Sequence, residues 1–454
     1  MNAKSKIIVI GAGLAGLVLA YRLKQQGKNV TVYEARPRVG GRVQTVLVQN
    51  RQGGFSHAEL GAQNIMDGGV ATNILSLIKE LNLELNEDAI PFEGVYYDGE
   101  ILHQRNALIS QILTKHDKPH LTIPQIAANC QNMQEVLTRL QLTPAQEGFL
   151  SFLLNGYEGI DPSLLSTNPH NLNTLIHMLS GGLSQVHQVA KSKAVIHRVS
   201  LKEGNAKLPQ CLADRMGQSI HLNKALSDVQ YTHDKKIVLT FKDGSNTQCD
   251  SLVLAIPCTV YRDIAFAPEI IASDRLNRIR GMHYGTTTKV LMPIQYPPGT
   301  GHWAASPKMG AFFNDDQKLL NLYFTHDDGK ILFSERTFQQ THQLLRKAFP
   351  SASFNELPFI EVNDLHYVQY SEPAAKSWKK DPYAQGSYSG FDITLENEID
   401  KRVDYNGTIF KPLFAPIEDK IYFIGEHATI LDEIGTMEAA VESAERLAKM
   451  LSDY

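Results

Sequence analysis

Hydrophobic and polar positions at the start of the chain alternate first with a strand period, then a helix period, then a strand period again. Ile7-Ile8-Val9-Ile10 is a continuous β-branched run, the pattern of a strand buried on both faces. Leu17, Leu19, Ala20 and Leu23 then recur at helical spacing as far as Gly27, and Val30-Thr31-Val32-Tyr33 returns to strand. Further on, 42–48 alternates as a strand and is closed by the polar turn Asn50-Arg51-Gln52-Gly53-Gly54. Ile74, Leu75, Leu77, Ile78 and Leu81 mark a helix from Asn73, and Tyr96-Tyr97-Asp98-Gly99-Glu100 marks a hairpin tip. The period predicts long helical stretches over 123–142 and 144–154, and a poorer one over 178–190, interrupted by Gly181 and Gly182. A helix over 208–216 follows, then strands over 220–222, Leu226–Tyr231, Ile237–Phe241 and 252–256, the last closed by Pro257. Ile421-Tyr422-Phe423-Ile424 reads as a late buried strand, and Gly435-Thr436-Met437-Glu438-Ala439-Ala440-Val441 opens an amphipathic terminal helix.

The junction of the first strand and helix carries chemistry. Between them stands Gly11-Ala12-Gly13-Leu14-Ala15-Gly16, a G-x-G-x-x-G turn. The first glycine permits the tight turn, the second lets backbone approach a pyrophosphate, and the third lets helix pack on strand. Glu34 ends the second strand 21 positions after Gly13, close to the roughly 20-residue spacing at which an acid takes the ribose hydroxyls of a dinucleotide. Ala35-Arg36-Pro37-Arg38-Val39-Gly40-Gly41-Arg42 follows, two arginines and a glycine pair on a loop that must return toward the phosphates. The plainer account of Arg36 and Arg42 is solvated surface charge.

Composition narrows the class. With 454 residues, 43% of them hydrophobic and 20% charged, the chain suits a soluble globular protein of two domains. A net charge of -4 without a long basic run gives no reason to expect nucleic acid as a partner. Cys130, Cys211, Cys249 and Cys258 have no C-x-x-C spacing, and His170, His177, His187 and His197 have no ligand spacing, so no metal site is expected. No run approaches the roughly 18 apolar residues of a membrane helix, and the residues before the first strand hold no apolar leader. A cytoplasmic protein without a transmembrane anchor is expected.

Four later stretches stand out. Gly61 and Ala62, in Glu59-Leu60-Gly61-Ala62-Gln63-Asn64, are small enough to let backbone approach a flat group, although an ordinary turn would read the same way. Lys289 follows a threonine run and precedes Val290, Leu291 and Met292, which places it in a half-buried strand. A buried ammonium needs hydrogen-bond partners and invites a functional reading against the alternative of a snorkelling surface lysine. Trp378, Tyr383 and Tyr388 crowd a loop punctuated by Pro382 and Gly386. Gly425-Glu426-His427 follows the last strand, and the terminal helix presents its N-terminus, with free N–H groups, near Thr436 and Met437.

The runs GAGLAGL and EARPRVGGR, with Trp378, Asp381-Pro382 and Gly386-Ser387-Tyr388-Ser389 later, resemble the flavin amine oxidase family, which includes monoamine and polyamine oxidases. The resemblance covers both ends and the middle of the chain. It implies an α/β fold, a Rossmann-like FAD-binding domain (1–72, 197–272 and 378–454) with an inserted mixed α+β substrate domain (73–196 and 273–377). It implies that Gly11, Gly13, Ala15, Gly16, Glu34, Ala35, Arg36, Gly41 and Arg42 hold the adenylate end of FAD, with Glu34 on the ribose, Arg36 along the adenosine, and Gly41 and Arg42 at the pyrophosphate. Gly61, Ala62, Gln63, Trp378, Gly425, Glu426, Thr436 and Met437 would meet the rest of the cofactor, Leu226 would give backbone to the adenine, and 250–257 would pass beneath it. Lys289 would reach the reactive flavin nitrogen through a water, and Tyr388 would hold the amine. Ser387 stands where mitochondrial monoamine oxidases carry a flavin-bound cysteine, so the FAD is expected to be noncovalent. Thr436 stands where those enzymes place a second tyrosine beside the substrate.

The expected activity is FAD-dependent amine oxidation. Hydride passes from an amine carbon to flavin, the imine hydrolyses, and dioxygen reoxidises the flavin to give hydrogen peroxide. The expected partners are a small-molecule amine and dioxygen, with a homodimer left open. Three alternatives share the front motif. An L-amino acid oxidase would need a cation for the substrate carboxylate, for which Arg105, Arg139 and Arg198 are available. A desaturase or protoporphyrinogen-oxidase-like enzyme would need a wide apolar access surface. A flavin-binding interaction protein would have lost its chemistry.

Overall fold

The computed structural model describes residues 5–65, 71–91, 94–179, 195–295, 303–314, 318–325, 335–354, 359–390, 392–395, 401–431 and 434–452. The chain opens with β1 (Lys6–Ile10), α1 (Leu14–Gln25) and β2 (Asn29–Tyr33). β1 pairs in parallel with β2 on one side and with Ser251–Leu254 on the other, and the sheet extends to Ile421–Phe423 and Ile220–His221 at its edges. Strands from four separate stretches of the chain thus share one parallel sheet, and the β-branched run of β1 lies at its centre with Ile8 and Val9 fully buried. α1 and the terminal helix Met437–Ser452 cover one face in a common apolar cluster with Leu17, Val18, Val441, Ala444 and Leu447. A second cluster on the other side joins Ile8 and Leu254 to the strands Leu226–Tyr231 and Ile237–Phe241.

A second sheet is larger. It runs from Ile360–Glu361 through Ala374–Ser377, Thr288–Gln295, Leu319–Phe324, Met309–Phe313 and Trp303–Ser306 to Gly94–Tyr97 and Leu102–Gln104. Helices Arg105–Lys115, Pro119–Ala127, Met133–Arg139, Pro144–Glu158 and Pro169–Leu179 pack with its far end around Phe149, Phe152 and Leu153.

Several elements differ from their sequence pattern for local reasons. The expected helix over 123–142 is two helices, because Asn132 leaves the helical conformation and accepts the N–H of Glu135 at 3.0 Å, starting a new one. The helix expected over 144–154 runs four residues further, to Glu158. It is opened by a capping box between Thr143 and Gln146 and closed by Gly159 in the left-handed region at φ 69°. The strand expected over 42–48 is Thr45–Gln49, since 40–44 is held in a turn closed by the Val43 N–H on Gly40 O at 2.9 Å. Most of 178–190 and His187 lie outside the described residues, as do the side chains of His177, His197 and Arg198.

Candidate active site

At the junction of β1 and α1, Gly11 has φ +105°, and an added Cβ there would lie 2.5 Å from Ala255 O. The turn can be made only by glycine. Gly13 is the N-cap of α1 with no side-chain cap, and no acid lies in the first helical turn, so the free N–H groups and positive end of the helix are left for an outside anion. A Cβ on Gly13 would meet nothing within 4 Å, whereas one on Gly16 would collide with Gly11 O. The second glycine therefore faces open space and the third is a packing residue, as the fingerprint requires. Glu34 is 5% exposed and accepts the N–H of Ala12 at 2.7 Å and of Arg36 at 2.9 Å. Burial pushes its carboxyl above the usual range, with Arg36 and those two N–H groups pulling the other way.

The two loop arginines are engaged inside the protein. Arg36 donates to both carboxylate oxygens of Asp381 and, at 2.7 Å, to Asp364. Arg42 donates to Glu426 at 2.7 Å and to Ser387 O at 3.0 Å, and lies over the Tyr284 ring. Glu426 also accepts the hydroxyl and N–H of Ser389 and the N–H of Gly435. Burial disfavours its charge, but Arg42 and these donors outweigh burial and hold its carboxyl below the usual range. One carboxylate thus joins the front loop, the 387–389 segment and the approach to the terminal helix. Thr436 serves the helix itself, its hydroxyl accepting the N–H of Ala439 at 3.0 Å as an N-cap.

At the other end lies Lys289, 6% exposed within the wholly buried part of strand Thr288–Gln295. Its ammonium donates to Gly61 O at 2.8 Å, Gln63 Oε1 at 3.0 Å and Glu59 O at 3.2 Å. Trp378 donates its indole N–H to Leu60 O at 2.8 Å, fixing the same turn from the opposite side. Tyr388 donates to Gly156 O, at the C-terminal end of helix Pro144–Glu158, at 2.6 Å. The Tyr323 hydroxyl lies 2.9 Å from that of Tyr388, 3.0 Å from that of Thr287 and 3.5 Å from Gly156 O, so the three hydroxyls form one hydrogen-bonded chain. Gly159 and Gly435, both at positive φ, pack against the Tyr388 ring and hold it in place.

One cavity of about 500 Å³ joins these two ends. Every residue proposed from the sequence lines it except Gly16, which packs the turn from behind. Its far wall is apolar and aromatic, formed by Phe152, Leu153, Tyr157, Trp303 and Phe312. Of the candidate carboxylate-binding arginines, Arg105 is buried and Arg139 exposed, and neither lines the cavity. Sequence reasoning missed Thr287, Tyr323 and His427. Tyr323 faces Lys289 across the strand pair, a signal that appears only once strand register is known. His427 was in view beside Glu426 but had no motif of its own. It is 1% exposed, its Nδ1 lies 3.3 Å from the Tyr284 hydroxyl, and burial lowers its pKa to about 4.

The residues present suit a flavin dinucleotide: an uncapped helix N-terminus and open space at Gly13 for a pyrophosphate, a buried acid at the end of β2, and a buried lysine and tyrosine where a ring would lie. Comparison with known proteins agrees. A family profile described as flavin containing amine oxidoreductase matches residues 14–451. Over 479 residues the chain is 24% identical to the pig (Sus scrofa) amine oxidase [flavin-containing] A, covering 98% of this chain and 84% of that protein. It is 21% identical over 485 residues to an L-amino-acid oxidase of Siganus canaliculatus, covering 99% and 85%. Among solved structures it resembles wild-type putrescine oxidase bound to putrescine (TM-score 0.70, 16% identity, 99% of both chains). It resembles the cyclohexylamine oxidase of Brevibacterium oxydans IH-35A to the same degree (TM-score 0.71, 16% identity, 99% of both chains). The match along nearly the whole chain, on a fold that joins a dinucleotide turn to a buried lysine and tyrosine, means that this chain belongs to the flavin containing amine oxidoreductase family.

Proposed function

We propose that this protein oxidises an amine with an apolar tail, using a noncovalently held FAD and dioxygen. The flavin, when bound, takes hydride from the amine carbon and passes two electrons to dioxygen as hydrogen peroxide, leaving an imine for water to hydrolyse. The chain's own residues bind and orient. The free N–H groups ahead of α1 would take the pyrophosphate and Glu34 the ribose, with Leu226 and Ala35 beside the adenosine. Gly61, Ala62, Trp378 and the 425–437 segment would line the rest, and the aromatic wall would exclude water.

The observation that carries the substrate reading is the chain of hydroxyls Thr287, Tyr323, Tyr388 ending on Gly156 O. Tyr388 gives its proton to Gly156 O, so it meets a substrate as an acceptor. Acceptors suit an amine N–H and not a carboxylate. The cavity's arginines point to the same class, since Arg36 and Arg42 are both paired to protein carboxylates. A peroxide-release screen of primary monoamines, diamines and L-amino acids tests this. Peroxide from apolar monoamines is expected, and turnover of L-amino acids alone would defeat the reading.

Noncovalent attachment rests on Ser387, whose hydroxyl cannot form a thioether to the flavin. Acid-denatured protein should release its yellow colour into the supernatant. The division into a flavin-holding part (1–72, 197–272 and 378–454) and a substrate part (73–196 and 273–377) belongs to the same proposal. It is supported by the parallel sheet, whose strands come from the first set. A cytoplasmic location is supported by four free cysteines. Among the described residues no helix is long and apolar enough to cross a membrane. Cell fractionation would check the location, and sedimentation would show whether the protein is a homodimer.

A further inference from the structure

We propose that the side-chain N–H of Gln63 is the hydrogen-bond donor this chain turns toward the flavin ring, and that Lys289 and Asn321 are positioning residues that set its direction. The proposal rests on the flavin-binding reading above. A lysine ammonium has three protons and accepts nothing. Here it has three acceptors within the protein, Gly61 O, Gln63 Oε1 and Glu59 O. Because the lysine can only donate, the oxygen of the Gln63 amide must face it. The same oxygen accepts Asn321 Nδ2, which fixes the asparagine amide as well.

Asn321 is placed for this task and for no other visible one. It lies on strand Leu319–Phe324, two residues before Tyr323, on the same sheet face as Lys289 by strand register. It is 0% exposed, and its Oδ1 has no hydrogen-bond partner. An asparagine buried with an orphaned acceptor carries a desolvation cost that a leucine would avoid. What it supplies is a second donor onto Gln63 Oε1. With that oxygen doubly occupied, the Nε2 protons of Gln63 point away from Lys289 and Asn321. Among the described residues Nε2 donates to nothing, and Gln63 lines the cavity together with Trp378 and Tyr388. A flavin ring presents acceptor nitrogen and oxygen atoms and gains electron density on reduction, so a fixed donor beside it favours the reduced form. Lys289 then acts through Gln63.

Two variants test the assignment with the flavin-loaded protein. Gln63→Leu removes the donor without adding charge. Asn321→Leu removes only its orientation, at a residue that does not itself line the cavity. Both should retain flavin, shift its visible absorption band, lower its midpoint potential, and slow reduction by amine about fivefold, the size expected for one hydrogen bond. Asn321→Leu should do so with unchanged or raised thermal stability, which a merely structural asparagine would not. The double variant should be no worse in potential than Gln63→Leu alone. A wild-type potential in Asn321→Leu, or additive effects in the double variant, would overturn the proposal. Protein that takes up no flavin would overturn the flavin reading and this proposal with it.

Discussion

At the scale of single residues, the site is made by donors and acceptors that leave little choice of partner. Lys289→Met removes three hydrogen bonds, to Glu59 O, Gly61 O and Gln63 Oε1, at a cost of about 1 kcal/mol each. We expect slower flavin reoxidation with flavin still bound and a lower melting temperature. Stopped-flow mixing of reduced protein with dioxygen measures the first, and unchanged reoxidation would remove Lys289 from that half of the cycle. Tyr323→Phe keeps the ring but takes away the hydroxyl that hydrogen-bonds Tyr388. The amine KM should rise about fivefold, one hydrogen bond's worth, with kcat nearly unchanged, and equal falls in kcat and kcat/KM would refute a binding role. The sequence showed Lys289 because a lysine in a β-branched run is anomalous. It did not show Tyr323, Asn321 or the pairing of Asp381 with Arg36, because a tyrosine, an asparagine or an aspartate is ordinary until the partner from another segment is known.

At the scale of elements, the terminal helix explains a substitution the sequence only flagged. Thr436 stands where a second tyrosine was looked for, and it is the N-cap of Met437–Ser452. A tyrosine has no short side-chain oxygen to take the Ala439 N–H. Thr436→Val should cost about 1 kcal/mol, visible as a lower denaturation midpoint, while Thr436→Ser should keep it. If Thr436→Val were as stable as wild type, the cap would be without weight. Elements with strong local signals were legible: β1, α1, β2, and the strands Leu226–Tyr231 and Ile237–Phe241 appear with near-expected bounds. The break within 123–142 was not, because an apolar period continues across Asn132 while the first helix stops at Ala127 and the cap at Asn132 starts a new one. Apolar spacing reports which face is buried, whereas caps report where the backbone turns.

At the scale of the whole molecule, the two chain ends and the middle are tied by buried charge, and that makes folding sensitive to acid. Arg36 and Asp381, with side chains 2% and 1% exposed, join the front loop to the aromatic loop, and Arg42 with Glu426 joins it to the last strand. Asp381→Asn would leave Arg36 buried with half its partner, a loss of about 3–5 kcal/mol. Burial opposes the charge of Asp381, but Arg36 and Lys376 hold its carboxyl well below the ordinary 3.8, so its contribution is present above that pH and disappears below it. His427 acts earlier. Its pKa falls from 6.5 to about 4 because burial opposes the charged ring. Above pH 6.5 neither the folded nor the unfolded chain protonates it. As pH falls from 6.5 toward 4 the unfolded chain takes the proton and the folded chain does not, so stability drops by up to about 3 kcal/mol. Denaturant unfolding of flavin-free protein should therefore weaken between pH 7 and 4.5 before any carboxylate pair is broken. His427→Asn should reduce that loss, leaving the part due to His366, whose pKa burial likewise lowers to about 4, and the steeper loss below pH 4. A loss between pH 7 and 4.5 in His427→Asn equal to that of the wild type would mean that His427 is not buried neutral, and with it would go the packing of Gly425 and Phe414 around its ring.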